Sequence, residues 1–151
     1  MPVIQNDVAL GIDDILLATD FSVASEKAAE YPKALAKRFL AAVEIAHVFD
    51  PSKVTHYEEA ILSLSLADRR QNSYDNLESV RQDFTDAGIR TRTVAPEGHW
   101  AGAEILKVAE DDPVDLIVLG PREASFWLDH VEHGTTPNLL AEATCPVLTV
   151  S

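Results

Sequence analysis

Five short runs of β-favouring residues recur along the chain and are separated by segments with helical spacing. The first, fourth and fifth runs are apolar almost throughout, which is typical of strands that are covered on both faces of a sheet. The third run alternates between polar and apolar residues, as expected of a strand near a sheet edge. The runs are DILLA (14–18), VEIAHVF (43–49), RTRTVA (90–95), DLIVLG (115–120) and PVLTV (146–150).

A helical pattern follows the first run. Apolar residues recur at helical spacing as far as Phe39, and either Asp20 or Ser22 could serve as the N-cap. Pro32 lies inside this pattern, where its missing N–H and its ring are expected to kink or divide the helix.

Three more helical segments complete the pattern. A long segment from about Tyr57 to Ala87 ends at Gly88, a residue suited to the left-handed position that follows a helix. The segment GAEILKVAEDDP is amphipathic and stops at Pro113. The last helix, TPNLLAEAT, is expected to begin with Thr136 as its cap and Pro137 at its first position.

Strands and helices therefore alternate from one end of the chain to the other. This order predicts one doubly wound α/β domain over residues 1–151, with a mostly parallel five-stranded sheet and helices on both faces. Ligands of such domains bind beyond the carboxyl ends of the strands, at the point where the winding direction reverses.

Composition and charge disfavour nucleic acid and membranes as partners. The 151 residues carry a formal net charge of -13, which repels nucleic acid and anionic membrane surfaces at long range. The chain has no apolar run near the roughly 18 residues that span a bilayer, and its start does not resemble a signal peptide. The single cysteine, Cys145, fits a reducing compartment and is expected to be an inert core thiol. We therefore expect a cytoplasmic protein that binds neither nucleic acid nor membrane.

The stretch LIVLGPREASFWLDHVEHGTTPNLL (116–140) has the frame of a phosphate-binding loop. Gly120 and Gly134 can let backbone N–H groups approach an anion closely. Thr135 and Thr136 add hydroxyl donors, and the start of the last helix adds a positive dipole end. The alternative is that the glycines only form turns and the threonines only cap the helix.

Two parts of the sequence resemble the universal stress protein family. ILLATDFSVASEKAAEYPKALAKRF followed by VEIAHVFDP is similar to the opening of such a domain, and DLIVLG with GTTPNLLAEATCPVLTV is similar to its closing half. The resemblance implies a sheet of order 3-2-1-4-5 and a role in stress tolerance rather than a defined reaction, so no catalytic residue is assigned. It also implies a homodimer paired through the last strand, at Val147, Leu148 and Val150.

One branch of that family binds ATP through a Gly-x2-Gly-x9-Gly-Ser/Thr loop after the fourth strand, so ATP is a possible cofactor. In that motif Gly120 matches the first glycine, Gly134 the third, and Thr135 the hydroxyl position with Thr136 beside it. The resemblance also places Asp20 near the adenosine and the backbone of Val48 against the adenine.

The middle of the loop departs from that motif. Glu123 stands at the second glycine, and the gap to Gly134 is one residue longer than the pattern. A carboxylate beside a triphosphate adds like-charge repulsion, and a non-glycine residue resists a positive φ. Phe126 and Trp127 add bulk and could present a surface to a partner protein. The resemblance therefore implies that ATP binding is weakened or lost, and the alternative is a working ATP/AMP-binding switch.

The sequence also bears on two other kinds of site, a metal site and a serine hydrolase site. His130 and His133 are three apart and could share a metal with Asp129 or Glu132 and with His99 or His47, although a solvated lid would have the same composition. A serine hydrolase is disfavoured because the chain has no Gly-x-Ser-x-Gly elbow.

Overall fold

The apolar runs form one parallel sheet in the computed structural model, which describes residues 11–53, 65–120 and 142–150. Its strands, in chain order, are β1 (Asp14–Ala18), β2 (Ala42–Ala46), β3 (Thr91–Val94), β4 (Leu116–Leu119) and β5 (Val147–Thr149). They lie side by side in the order β3-β2-β1-β4-β5. Ile15 of β1 pairs with Val43 on one side and with Leu116 on the other, and every pairing is parallel. The predicted fold class and strand order are confirmed.

The first helical pattern is divided in two, as Pro32 predicted. Helix α1 (Val23–Ala28) begins at Ser22, whose Oγ accepts a hydrogen bond from the Ser25 N–H at 3.1 Å. Helix α2 (Glu30–Phe39) follows after Ala29, and Pro32 is its third residue. Proline is tolerated there because the first-turn N–H groups of a helix have no carbonyl partner within it.

The helix after β2 is shorter than its pattern suggested. Helix α3 (Leu66–Asp86) begins after Ser65, where a capping box joins Ser65 to Asp68. The expected start near Tyr57 is wrong for a continuous helix, because the backbone of Ser65 is extended. Its end is as predicted, with Gly88 at a φ of 83°.

Helix α4 (Ala101–Asp111) ends before Pro113, also as predicted. Most of the segment expected to form the last helix lies outside the described residues. Within the described ranges, no helix combines the length and the apolar character needed to cross a bilayer.

Side chains alternate between the two faces of the sheet and build a core on each. One face carries Ile15, Leu17, Val43 and Ile45, which pack with α2 and α3 around the fully buried Phe84. The other face packs against α4, chiefly through residues of β1 and β4: Leu16, Ala18, Ile117 and Leu119 with Ile105 and Leu106. With both faces covered, the carboxyl ends of the strands remain as the place where polar groups collect.

One charged side chain is buried within the sheet itself. Glu44 of β2 is 7% exposed and contacts Arg92 Nε on the neighbouring strand β3. Arg92 Nη2 also contacts Asp112 at the end of α4. Burial raises the pKa of Glu44 above its ordinary value, and Arg92 opposes that change.

Candidate functional site

The carboxyl ends of β1 and β2 are tied together by two hydrogen bonds. The Thr19 N–H donates to the Ala46 carbonyl at 2.9 Å, and His47 Nδ1 lies 2.8 Å from the Thr19 carbonyl oxygen. This edge, which we call the rim, carries two of the predicted nucleotide contacts, Asp20 and Val48. Gly120 follows β4 on the other side of β1, one residue beyond the paired Ala18 and Leu119.

Asp20 holds the turn that leads from β1 into α1. Its Oδ1 accepts from the Ser22 N–H at 2.9 Å and from the Ser25 hydroxyl at 2.5 Å. Phe21 has a φ of 65°, and its N–H donates to Thr19 Oγ1 at 3.1 Å. The carboxylate therefore has a structural role, whether or not a ligand approaches it.

His47 is held in one tautomer by this arrangement. The Thr19 carbonyl can only accept, so Nδ1 carries the proton and Nε2 of the neutral ring is an acceptor. The ring packs on Phe21 with 4.3 Å between the ring centroids. Burial lowers the pKa of His47, and the hydrogen bond to Thr19 and the charge of Asp20 only partly oppose this, so the ring is neutral near pH 7.

A cavity of about 340 Å³ opens at the end of β2, and we call it the rim pocket. The strand side contributes the consecutive residues His47, Val48, Phe49 and Asp50, and α3 contributes Arg69, Asn72 and Ser73. Its volume lies near the lower end of the range for small-molecule sites in proteins. The rim pocket therefore contains Val48, which the sequence singled out, and three residues of α3 that the sequence reasoning missed.

Asp50, Ser52 and His99 form a polar cluster beside the rim pocket. Asp50 Oδ1 accepts from the Ser52 hydroxyl at 2.6 Å and lies 3.1 Å from His99 Nδ1. Ser52 Oγ lies 3.0 Å from the same ring nitrogen, so this is not a catalytic triad, in which the carboxylate and the hydroxyl contact opposite nitrogens. Although burial acts in the opposite direction, bonds from Ser52 and His99 lower the pKa of Asp50 and keep it charged.

A second cavity, of about 400 Å³, lies between α1 and α3. Its lining includes Ser22, Ser25 and Asn76 together with two carboxylates, Glu26 and Asp83. With carboxylates and no cationic side chain in its lining, this cavity is poorly suited to an anionic ligand.

The other predicted nucleotide-loop residues and the predicted metal ligands fall outside the described part of the chain. Outside the described residues lie the altered part of the loop (Glu123, Gly134, Thr135, Thr136) and both histidines of the metal hypothesis (His130, His133). In the parts of the chain that are described, no three histidine, cysteine or acidic side chains come together as metal ligands. The phosphate loop and the metal site stay predictions.

The sequence and the fold of this chain are similar to those of known proteins. The model of the universal stress protein family matches residues 11–151. The chain belongs to this family. Among its relatives, the universal stress protein MJ0577 of Methanocaldococcus jannaschii is 26% identical, over 90% of this chain and 93% of that protein. The universal stress protein YxiE of Bacillus subtilis is 28% identical, over 90% of this chain and 97% of that one.

Solved structures share the fold at lower identity. A universal stress family protein of Burkholderia pseudomallei aligns with a TM-score of 0.69 and 23% identity, covering 94% of this chain and 98% of its own. A universal stress protein of Archaeoglobus fulgidus in complex with dAMP aligns with a TM-score of 0.66 and 16% identity, covering 94% of this chain and 100% of its own. A universal stress protein in complex with cAMP aligns with a TM-score of 0.65 and 18% identity, covering 93% of this chain and 97% of its own.

Proposed function

We propose that this protein is a cytoplasmic stress-response regulator, not an enzyme, whose nucleotide-type site binds ATP weakly or not at all. The observation that carries the proposal is Glu123, which stands where the ATP-binding motif has its second glycine, in a loop one residue too long. The rest of the motif's frame, Gly120 and Gly134 with Thr135, is present in the sequence.

Charge is the first reason to expect weak ATP binding. A triphosphate approaching Glu123 meets a like charge at close range, and the net charge of -13 repels it at long range. Backbone geometry is the second reason, because a glutamate resists the positive φ that a glycine adopts freely.

Support for a nucleotide-type site comes from the rim. Asp20 and Val48 lie at the carboxyl ends of adjacent strands, with the rim pocket beside them. Two proteins of this fold were solved with dAMP and with cAMP, each of which carries a single phosphate. A site of this kind with a damaged triphosphate loop favours ligands with fewer charges.

A thermal melt with and without about 1 mM Mg-ATP tests the proposal. A ligand at about 100 times its dissociation constant stabilises a protein by about 2.7 kcal/mol, which is a shift of roughly 5–10 °C for a domain of this size. We expect a much smaller shift for the wild type. A full shift would contradict the proposal and make the protein an ATP-binding switch, and a parallel melt with chelator tests the metal hypothesis.

A restoring variant shows whether Glu123 is the cause. Glu123→Gly should increase the shift produced by Mg-ATP, because it removes the charge and restores the glycine of the motif. Glu132→Gly is the matched control, since it makes the same chemical change at another acidic position of the same loop. Equal effects of the two variants would show that only net charge matters.

We also propose that the protein is a homodimer paired through β5. This strand lies at an edge of the sheet and, within the described residues, pairs only with β4. The Pro146 carbonyl accepts from Ile117 N at 3.0 Å, and Val150 N donates to the Leu119 carbonyl at 2.9 Å. The backbone groups of Val147 and Thr149 therefore face away from β4 and are available to a second copy.

Thr149→Pro tests this interface, because it removes one outward N–H without breaking a bond to β4. We expect analytical ultracentrifugation to show a shift toward monomer, with Thr149→Ser as the control that retains the N–H. Unchanged dimerisation of the proline variant would contradict pairing through β5. Val147→Lys and Leu148→Lys are less specific, since both side chains also pack against the core clusters.

A further inference from the structure

The sheet-facing stripe of α3 changes character at the rim. Toward the end of the helix this stripe is apolar, with Leu77 and Phe84 buried in the core. In its first turns the helix instead presents polar residues to the rim pocket, namely Arg69, Asn72 and Ser73, of which Arg69 and Ser73 continue the stripe of Leu77. These three residues have the i, i+3, i+4 spacing that places side chains on one face of a helix.

Arg69 has an unmet hydrogen-bonding requirement. Its Nη1 is closed off from solvent and has no hydrogen-bond partner in the described residues. The guanidinium lies 5.5 Å from the centroid of the Phe49 ring, which attracts the cation but supplies no acceptor oxygen. A buried donor without an acceptor is unfavourable, so a rotation of the guanidinium that brings Nη1 to a ligand oxygen in the rim pocket gains this bond.

Arg70, the next residue of α3, is an arginine at the same end of the helix whose hydrogen bonds are made. Arg70 has the same 5.5 Å distance to the Phe49 ring, but it binds both carboxylate oxygens of Glu97. The Nε to Oε2 distance is 3.1 Å and the Nη2 to Oε1 distance is 2.7 Å. Arg69 has no such carboxylate partner among the described residues, in a chain whose formal net charge is -13.

We propose that Arg69 binds the phosphate of a nucleoside monophosphate in the rim pocket, with Asn72 and Ser73 as further donors. This inference rests on the proposed nucleotide-type site and names the ligand class and the contact that selects it. Arginine binds phosphate oxygens through two parallel N–H groups, and the cavity of about 340 Å³ favours one phosphate over three.

The other charges near the pocket are consistent with this assignment. Asp50 also lines the rim pocket, but its Oδ1 is already bonded to Ser52 and contacts His99. The second cavity presents Glu26, together with Asp83 that is paired with Lys33, and has no cationic side chain in its lining to attract a phosphate. Arg69 thus makes the rim pocket the better of the two described cavities for an anion.

Calorimetric titration of the full chain with AMP, adenosine and ribose 5-phosphate tests the proposal. Arg69→Gln should weaken AMP and ribose 5-phosphate at least tenfold while changing adenosine less than twofold, because only the phosphate contact is lost. Arg70→Gln is the matched control: it makes the same charge change at the same distance from Phe49 and should leave all three affinities within twofold. Glutamine is a good helix former, and circular dichroism verifies that both variants fold.

The outcomes separate this inference from the proposed function. Equal losses for AMP and adenosine, equal effects of the two variants, or no binding of any probe by the wild type would overturn the assignment of Arg69. None of these results bears on the response to Mg-ATP, which tests Glu123 separately. A wild type that binds Mg-ATP strongly would overturn the proposed function while the comparison of AMP with adenosine still decides the role of Arg69.

Discussion

Arg92 is expected to make the buried charge of Glu44 tolerable. The Glu44 side chain is 7% exposed and contacts Arg92, which also contacts Asp112. Replacing Arg92 with Leu removes the cation shared by two carboxylates and leaves Glu44 without its ionic partner. The variant should therefore be destabilised by the uncompensated charge rather than by lost packing.

The size of the effect follows from how exposed the arginine is. Removing one partner of a fully buried ion pair costs about 3–5 kcal/mol. Arg92 is 50% exposed, so water already weakens its interaction, and we expect a loss of about 2 kcal/mol. For a domain of this size that loss lowers the melting temperature by roughly 4–8 °C.

A double variant distinguishes charge from packing. Replacing both Glu44 and Arg92 with Leu removes the buried charge together with its partner, and such replacements are often neutral or stabilising. Urea denaturation should therefore show the double variant to be more stable than Arg92→Leu alone. A double variant that is no more stable than the single one would refute the reasoning.

The pH dependence has a definite sign. Burial raises the pKa of Glu44, so the folded state holds this proton more tightly than the unfolded state. The stability that comes from the protonated form is complete below the unfolded pKa of about 4.3 and is lost as the pH rises through the folded pKa. The deficit of Arg92→Leu should accordingly shrink near pH 4. A deficit equal at pH 4 and pH 7 would contradict the role of the charge.

Three further predictions concern other parts of the fold. Phe84→Ala should lower the free energy of unfolding, measured by urea denaturation, by about 3–5 kcal/mol because the ring is fully buried. Tyr74→Ala, at an exposed position of the same helix, is the control and should lower it by about 0.5 kcal/mol or less. Leu40→Gly should raise the melting temperature by about 2–4 °C, because Leu40 has a φ of 55°, which strains a non-glycine residue, and its side chain is 82% exposed and loses little packing. An unchanged melting temperature would argue against strain at this position. The His47 ring should titrate in NMR below the ordinary pKa of about 6.5, with Nδ1 protonated. The stability contributed by its neutral form is then lost as the pH falls from that value through the folded pKa, and a midpoint above 6.5 would contradict this.

The sheet could be predicted closely because each strand carries its own signal. The run DILLA coincides with β1, and the third, fourth and fifth runs exceed their strands by one residue at each end. The second run begins one residue after the start of β2 and extends three residues past its end. The largest excess is in the second run, where His47, Val48 and Phe49 lie beyond β2 at the rim, although Phe49 still forms an isolated bridge with Glu97. Apolar character continues past the strand there because these residues line the rim pocket or pack under it.

The site was harder to predict because its residues do not look distinctive in the sequence. Asp20 and Val48 were found only through the resemblance to a family, and the structure adds that Asp20 caps the turn into α1. Arg69 was missed because a polar residue on a helix is ordinarily solvent-facing. A signal was present nevertheless: the apolar stripe of Leu77 and Phe84 is replaced by Ser73 and Arg69, four and eight residues before Leu77, which is about one and two turns earlier.

The unusual backbone of Phe21 has a consequence for how the rim recognises a ligand. A non-glycine residue at a φ of 65° is held there by the Thr19 and Asp20 hydrogen bonds and by the contact with His47. The entropy of ordering this turn is therefore lost when the chain folds, and not when a ligand arrives. A pre-organised turn of this kind allows a small molecule with few contacts to bind measurably, because little of its binding free energy is spent on shaping the protein.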